Sequence, residues 1–277
     1  MRKLLRADFA RLRVNKTFWV VMLGMVGVCL FLMFDLWQWR TRYPDVEAHF
    51  ENYLFNYAPF MGFCLAMIVG MLTGADYSDG TMRNKLIVGR ERWEIYLSHL
   101  IVSSAIGALL VLGCVVPMLL IGLPMSSGFG IPSDRAALMI LFSIPATVAF
   151  AAICTAITMG IQNRTAAVIV CFVVMMVLFC GNLILNGRLG EPEMTRDYAI
   201  TVNGVEASEE KPNPFYIGGT KRVVYQWIHD TLPSGQTIQM ADGADPEHME
   251  RWPFTSAAVI LLSSAIGYAI FKRKDIK

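Results

Sequence analysis

The densest set of side chains able to do chemistry lies in one polar stretch, Asp76-Tyr-Ser-Asp-Gly-Thr-Met-Arg-Asn-Lys-Leu-Ile-Val-Gly-Arg-Glu-Arg-Trp-Glu-Ile-Tyr-Leu97. Its polar groups (Asp76, Asp79, Thr81, Arg83, Lys85, Arg90 and Arg92) match no catalytic spacing. Their order predicts a docking lever instead. Asp79-Gly80-Thr81 reads as a turn followed by an N-cap, and Met82 to Val88 as two turns of helix with Leu86 and Ile87 facing membrane or partner. Gly89 then reads as the stop, and Arg90-Glu-Arg-Trp93 leads into the next helix. A plain basic loop needs no such succession of turn, helix, stop and restart.

The other candidates for chemistry are weaker. The chain holds no H-E-x-x-H, G-x-S-x-G or C-x-x-C, and no G-x-x-x-x-G-K-[ST] phosphate loop. It therefore reads as a non-enzyme, and any work it does takes energy from elsewhere. The four histidines, His49, His99, His229 and His248, are scattered. Asp242-Gly-Ala-Asp-Pro-Glu-His248 could be imagined as a metal loop, but it lacks the EF-hand spacing. A solvated acidic turn is the commoner meaning. All six cysteines fall in apolar runs and read as small packing residues rather than as a disulfide framework.

The elements that must position the 76–97 stretch follow from the distribution of charge. The 277 residues are 55% hydrophobic and 17% charged, against about 45–50% and about 25% in soluble domains. Residues 17–34, 52–75, 95–133, 136–163, 165–187 and 252–271 carry no Asp, Glu, Lys or Arg, and these six runs hold 152 of the 277 residues. A disordered chain, a disulfide mini-domain and an ordinary soluble enzyme are excluded. A hydrocarbon core of about 30 Å takes about 20 helical residues, so spans are expected at 17–35, 57–75, 98–122, 136–160, 165–186 and 254–271. The expected fold is an all-α integral membrane protein with six transmembrane helices and both termini cytoplasmic. Residues 1–186 would hold the N-terminal helix and five spans, 187–253 a small α+β extracytoplasmic cap, and 254–277 the sixth span and a basic tail. No Asp, Glu, Lys or Arg lies deep in a span, which argues against a proton-coupled carrier and a voltage sensor.

Orientation rests on Lys and Arg in short loops. Residues 1–16, 76–97, 161–164 and 272–277 carry 15 basic residues, whereas the short loops opposite carry Arg40, Arg42 and Arg135. The 15 mark the cytoplasmic side. Residues 1–35 read as an uncleaved first helix, since no small-residue cleavage site follows the apolar run. Residues 2–16 read as an amphipathic interfacial helix with Leu5, Phe9 and Leu12 on its apolar side. Trp37, Trp39, Tyr43, Tyr53 and Tyr57 read as part of the outer aromatic belt. Asn15 and Asn163 fit the glycosylation pattern but read better as helix starts, Asn163 as an N-cap. Leu123 to Ser133 should turn, and Pro117 and Pro145 should kink their spans. Gly70-x-x-x-Gly74, and more weakly Gly107 and Gly267 with a serine four residues before each, read as close helix packing, within the subunit before between subunits. In the cap, 199–205 alternates around Asn203-Gly204 as a hairpin does, and Thr220 to Leu232 reads as a helix ended by Pro233-Ser-Gly235.

Several stretches resemble ABC type-2 export permeases. Asp76-x-x-x-Gly80-Thr81-x-Arg83-x-Lys85, Gly89-Arg-x-Arg92 and Tyr96-Leu97 look like that family's loop between the second and third spans. Asn15-Lys-Thr-Phe-Trp19 is similar to its first helix, and Gly267 to Ile276 to its last-span exit. The outer Asn213-Pro-Phe-Tyr216 and Leu232-Pro-Ser-Gly-Gln236 resemble the large outer loop of peptide- and antibiotic-related members. The likeness implies a bacterial cell-membrane permease that works with a second permease subunit and binds no nucleic acid. It would move a peptide, lipid or drug-like substrate outward. ATP and Mg would be bound by a separate cytoplasmic ATPase, and no cofactor by this chain. The 76–92 loop would be the coupling helix, with Asp76, Asp79, Gly80, Thr81, Arg83, Lys85, Arg90 and Arg92 as docking or coupling residues. The competing reading is a non-transporting membrane sensor or assembly protein that uses the 187–252 loop for recognition.

Overall fold

The structure, a computed structural model, describes residues 1–196, 198–201, 204–207, 210–243 and 245–275. Helix α1 (Arg2–Arg13) precedes the first span, α2 (Lys16–Arg42). The second span is built from α3 (Glu51–Leu54), a 3-10 turn at Ala58–Phe60 and α4 (Met61–Ser78). The short α5 (Thr81–Ile87) leads to α6 (Arg92–Pro117), which continues through a π-helical turn at Met118–Gly122 into α7 (Leu123–Met125). The spans α8 (Ser133–Gly160) and α9 (Arg164–Gly190) follow. After two small antiparallel strand pairs come α10 (Gly219–Thr231), α11 (Pro233–Ala241) and the last span, α12 (Trp252–Arg273). The six long apolar helices make this a multi-pass membrane protein.

The helices start and stop where local chemistry dictates. Asn15 accepts from the Phe18 amide at 3.0 Å and Asn163 from the Ala166 amide at 3.0 Å, so both are N-caps of spans. Pro117 has no amide to donate, and the helix passes into the π turn right after it. That carries helix to Met125, so the expected turn begins at Ser126 rather than Leu123. Pro145 lies within a continuous α8. Most spans run longer than expected, because the helical backbone continues through the residues that follow the apolar run: α2 reaches Arg42 and α9 reaches Gly190. The second span differs, since a 3-10 turn at Ala58–Phe60 delays its continuous helix to Met61.

Three spans make the core. The apolar windows of the second, third and fourth are 56, 44 and 50% buried, against 22, 17 and 17% for the first, fifth and sixth. Helix α8 packs on α12, α6 and α4, and α4 packs on α9. Close approach is made by glycines. A Cβ at Gly70 would lie 2.8 Å from Val168 Cγ2, and one at Gly74 2.7 Å from Arg164 Cα, both on α9. Gly107 faces Thr147 Cγ2 at 3.0 Å, and Gly267 faces the Tyr96 hydroxyl and Ala156.

Two expectations for the faces change. Helix α1 is expected to lay Leu5, Phe9 and Leu12 in the membrane interface; the face it turns to the other helices is instead the stripe Leu4, Asp8 and Leu12, which contains a carboxylate, while Phe9 is 36% exposed. Trp37, Trp39 and Tyr43 are exposed in the C-terminal part of α2, but Tyr57 is fully buried, with its hydroxyl 3.4 Å from Ser143 Oγ. It belongs to the core rather than to an aromatic belt.

The cap region is more deeply built in than an outer loop. Strand residues 198–201 pair antiparallel with 204–207, as the alternation predicts, while the turn residues 202 and 203 lie outside the described residues. Pro233 ends α10 but also opens α11 as one of its first residues. Helix α11 is buried over most of its length, inserted beside α3, α8, α9 and α10. Gln236, fully buried, donates to the Asp230 carbonyl at 3.0 Å and to Thr255 Oγ1 at 2.9 Å, and accepts from Ser256 Oγ at 2.9 Å. Asn182 on α9 donates to Ser234 Oγ at 2.6 Å. A buried amide satisfied on both sides fixes this helix in one register.

Candidate functional site

At the basic end of the bundle, α5 is fastened to the spans by a buried ionic cluster. Lys85 of α5 turns inward and is 9% exposed. Its Nζ donates to Asp8 Oδ1 of α1 at 2.9 Å and to Asp76 Oδ2 of α4 at 3.0 Å. Arg11 of α1 donates to the other oxygen of Asp76. Ser98 of α6 donates to Asp8 Oδ2 at 2.6 Å. His99 of α6 has Nε2 3.2 Å from Asp76 Oδ2 and Nδ1 3.5 Å from the Thr73 hydroxyl. The tautomer with the proton on Nε2 donates to Asp76 and accepts from Thr73. Lys85 Nζ lies 3.3 Å from the same Nε2, and the two carboxylates of Asp8 and Asp76 face the ammonium of Lys85 and the guanidinium of Arg11.

Local sequence makes this possible. Asp8 lies four residues from Leu4 and four from Leu12, so one turn of α1 carries it to the inner face. Gly80 adopts φ 68° as the N-cap of α5, with Thr81 as first helical residue; the cap therefore sits one residue earlier than the expected Thr81. Gly89, at φ 82°, ends the helix in the left-handed region. These two glycines fold α5 back so that Met82 and Leu86 pack on Leu4, Ile95, Tyr96 and Phe271.

The residues singled out by sequence separate into two groups. Asp76 and Lys85 are internal ties. Arg92 is also turned in: its Nη1 donates to the carbonyls of Phe271 at 2.8 Å and Lys274 at 2.6 Å, and its guanidinium lies 5.8 Å from the Phe271 ring. It closes the end of α12. Arg90 lies 3.6 Å from Glu94, one turn into α6. Asp79 and Arg83 are exposed. Beside Arg83, Ile87 and Val88 are 71% and 79% exposed, an apolar tip on an otherwise basic surface. Sequence reasoning missed Asp8, Arg11, Ser98 and His99 as partners of the loop. The one signal available was a lone carboxylate among the basic residues of α1.

At the opposite end, Arg135 holds the 242–250 stretch. It bonds Asp245 at 2.8 Å and Glu250 at 3.1 Å, and Asp242 accepts from Asn186 at 2.7 Å. The acidic turn is thus occupied by protein donors. Among the described residues, no three His, Cys, Asp or Glu side chains converge on a metal position.

No curated protein sequence matches the chain. The family of ABC-2 family transporter proteins does, over residues 4–182, which span α1, the first four spans, α5 and most of α9. With its six long apolar helices and a match over more than half of its length, this chain belongs to the ABC-2 transporter family.

Proposed function

We propose that the chain is the permease subunit of an ATP-driven exporter and works as one of a pair, docked on a separate cytoplasmic ATPase through α5. The single observation that supports this reading best is the construction of α5. One side is locked to α1, α4 and α6 through Lys85, while the other presents Asp79, Arg83, Ile87 and Val88. A push on the exposed tip passes into the spans, because a buried ion pair resists separation by several kcal/mol.

In this reading the 15 basic residues of the short segments mark the cytoplasmic side, both termini lie there, and α10 and α11 face outward. ATP and Mg are bound by the ATPase. Its closure displaces α5, and the core spans α4, α6 and α8 swing from inward to outward access. The exposed apolar faces of α2, α9 and α12 meet lipid and the second permease. The glycines at 70, 74, 107 and 267 serve as packing points within one subunit. Asp76, Lys85 and Arg92 transmit force, and Asp79, Arg83, Ile87 and Val88 make the docking contact.

The test is affinity purification of the tagged full chain from its native membrane at natural expression. A nucleotide-binding subunit should co-purify with the native chain and be lost with Ile87→Asp/Val88→Asp. If none co-purifies, or the double variant retains it, the permease reading fails and the sensor reading takes its place.

A further inference from the structure

Between the end of α9 and helices α10 and α11 lies a cavity of about 460 Å³. Its lining includes Arg222, Gln226, Asp230, Gln239, Asp242 and Glu247. Most polar groups here have partners. Asp242 accepts from Asn186, and Asp230 Oδ1 accepts from Gln239 Nε2 at 3.0 Å. Two groups do not. Asp230 is only 4% exposed, yet its Oδ2 has no hydrogen-bond partner among the described residues. Arg222 donates from Nη2 to the Leu189 carbonyl at 2.9 Å and stacks 5.5 Å from the Tyr216 ring, and its buried Nη1 is likewise unpartnered among them.

These groups carry opposite charge and border one cavity, yet they do not pair with each other. A buried acceptor or donor left open costs about 1–3 kcal/mol, and more when charged. Native structures fill such positions with water, an ion or a ligand. Arg222 is engaged by its carbonyl bond to Leu189 and its stacking on Tyr216, and it forms no ion pair with Asp230 among the described residues. A molecule that fits must offer a donor cation to one side and an acceptor anion to the other.

We propose that this cavity binds a small zwitterion, its ammonium group at Asp230 and its anionic group at Arg222. Two sources share that chemistry, a free amino acid or short peptide and the headgroup of an ethanolamine phospholipid. The site stands apart from the α5 docking surface and does not depend on the proposed coupling to an ATPase.

The experiment uses the purified full chain in nanodiscs of phosphatidylcholine and phosphatidylglycerol, with thermal midpoint and isothermal titration calorimetry as readouts. Glycylglycine and glycerophosphoethanolamine are titrated, with methylamine and acetate as half-ligands. At least one zwitterion should bind at least tenfold more tightly than either half-ligand. Asp230→Asn and Arg222→Gln should each weaken binding at least tenfold, whereas the exposed neighbour variant Lys221→Gln should leave it unchanged. Asp230→Asn keeps the Oδ1 acceptor for Gln239. If it nonetheless loosens α11, seen as faster amide exchange there, Arg222→Gln carries the test. Binding of glycylglycine identifies a soluble ligand, and binding of glycerophosphoethanolamine alone identifies the lipid headgroup. If neither zwitterion binds, the cavity holds water only and the proposal is overturned. It is equally overturned if a half-ligand binds as tightly, or if Arg222→Gln binds unchanged.

Discussion

Replacing Lys85 by methionine keeps the length of the side chain and removes its charge. The side chains of Asp8 and Asp76 are 7% and 1% exposed, so the loss leaves one uncompensated negative charge in a nearly dry site. Breaking a buried pair by removing one partner costs about 3–5 kcal/mol. Here the lower end applies, because Asp76 retains Arg11 and His99, and Asp8 retains Ser98. A cost of about 3 kcal/mol lowers the thermal midpoint by roughly 6–12 °C in a chain of this size. The matched control is Arg83→Met on the exposed face of α5, where substitutions stay within about 0.5 kcal/mol. Adding Asp8→Leu to Lys85→Met restores charge balance, since Arg11 and Asp76 then remain as a neutral pair. That double variant should recover at least about 1 kcal/mol relative to the sum of the two single losses, within the range of couplings between contacting residues. The assay is thermal unfolding in detergent, read by size exclusion after heating, with amide exchange across 81–87 as the local readout. The reasoning is refuted if Lys85→Met melts within about 2 °C of the native chain, or if the double variant loses the full sum of the two singles.

Other outcomes follow from the same geometry. Gly74→Val should cost about 1–3 kcal/mol by overpacking, since its Cβ meets backbone of α9 at 2.7 Å; a cysteine pair across α4 and α9 should then crosslink more slowly, and an unchanged rate counts against the packing. Gly235→Ala should release α11, because the new methyl collides with the His229 carbonyl; protease cleavage within 233–241 should rise, and unchanged resistance would falsify the tight corner. His229 has its ring nitrogens 3.1 Å from Asn182 Oδ1 and 3.2 Å from Asn186 Oδ1, and a neutral ring can donate to only one of them. Burial nevertheless pushes its pKa below the usual 6.5, outweighing the upward pull of Asp230 and Asp242. The folded cap then binds a proton more weakly than the unfolded chain. Its stability should be full above about pH 6.5 and fall as the pH drops below that value, towards the lowered folded pKa. Cap amide exchange followed from pH 7.5 to 5 checks the sign, and rising protection on acidification would show the opposite.

Much of the bundle was legible in the sequence because its causes are local. Charge-free runs, N-cap asparagines at 15 and 163, and the Gly80 to Gly89 frame depend on residues a few positions apart. The short α5 was readable for the same reason; the hairpin was readable too, but not its register, since Gly204, expected in the turn, pairs with Thr201 as the first residue of the second strand. The candidate site was readable only in part. Periodicity placed Leu5, Phe9 and Leu12 on the apolar side of an interfacial α1, and it does not say which stripe meets the other helices. The face that is buried instead carries Asp8, because Lys85, 77 residues away, supplies the countercharge. Helix α11 was missed because Pro233-Ser-Gly235 reads as a stop, and the same proline is also a good helix start once α9 and Gln236 supply partners.

The sequence by itself determined how many times the chain can cross a membrane, where the basic surface lies and that a short helix interrupts it. Those follow from transfer free energy and from turn and cap chemistry, which act within a few residues. Only the tertiary structure decided which charges are ties and which are surface. Lys85, Arg83 and Arg92 are alike in sequence, yet one is buried between two carboxylates, one is exposed, and one closes the end of α12. The physical reason is that a buried charge is stable only where a partner is brought to it, and the partners here come from helices remote in the chain.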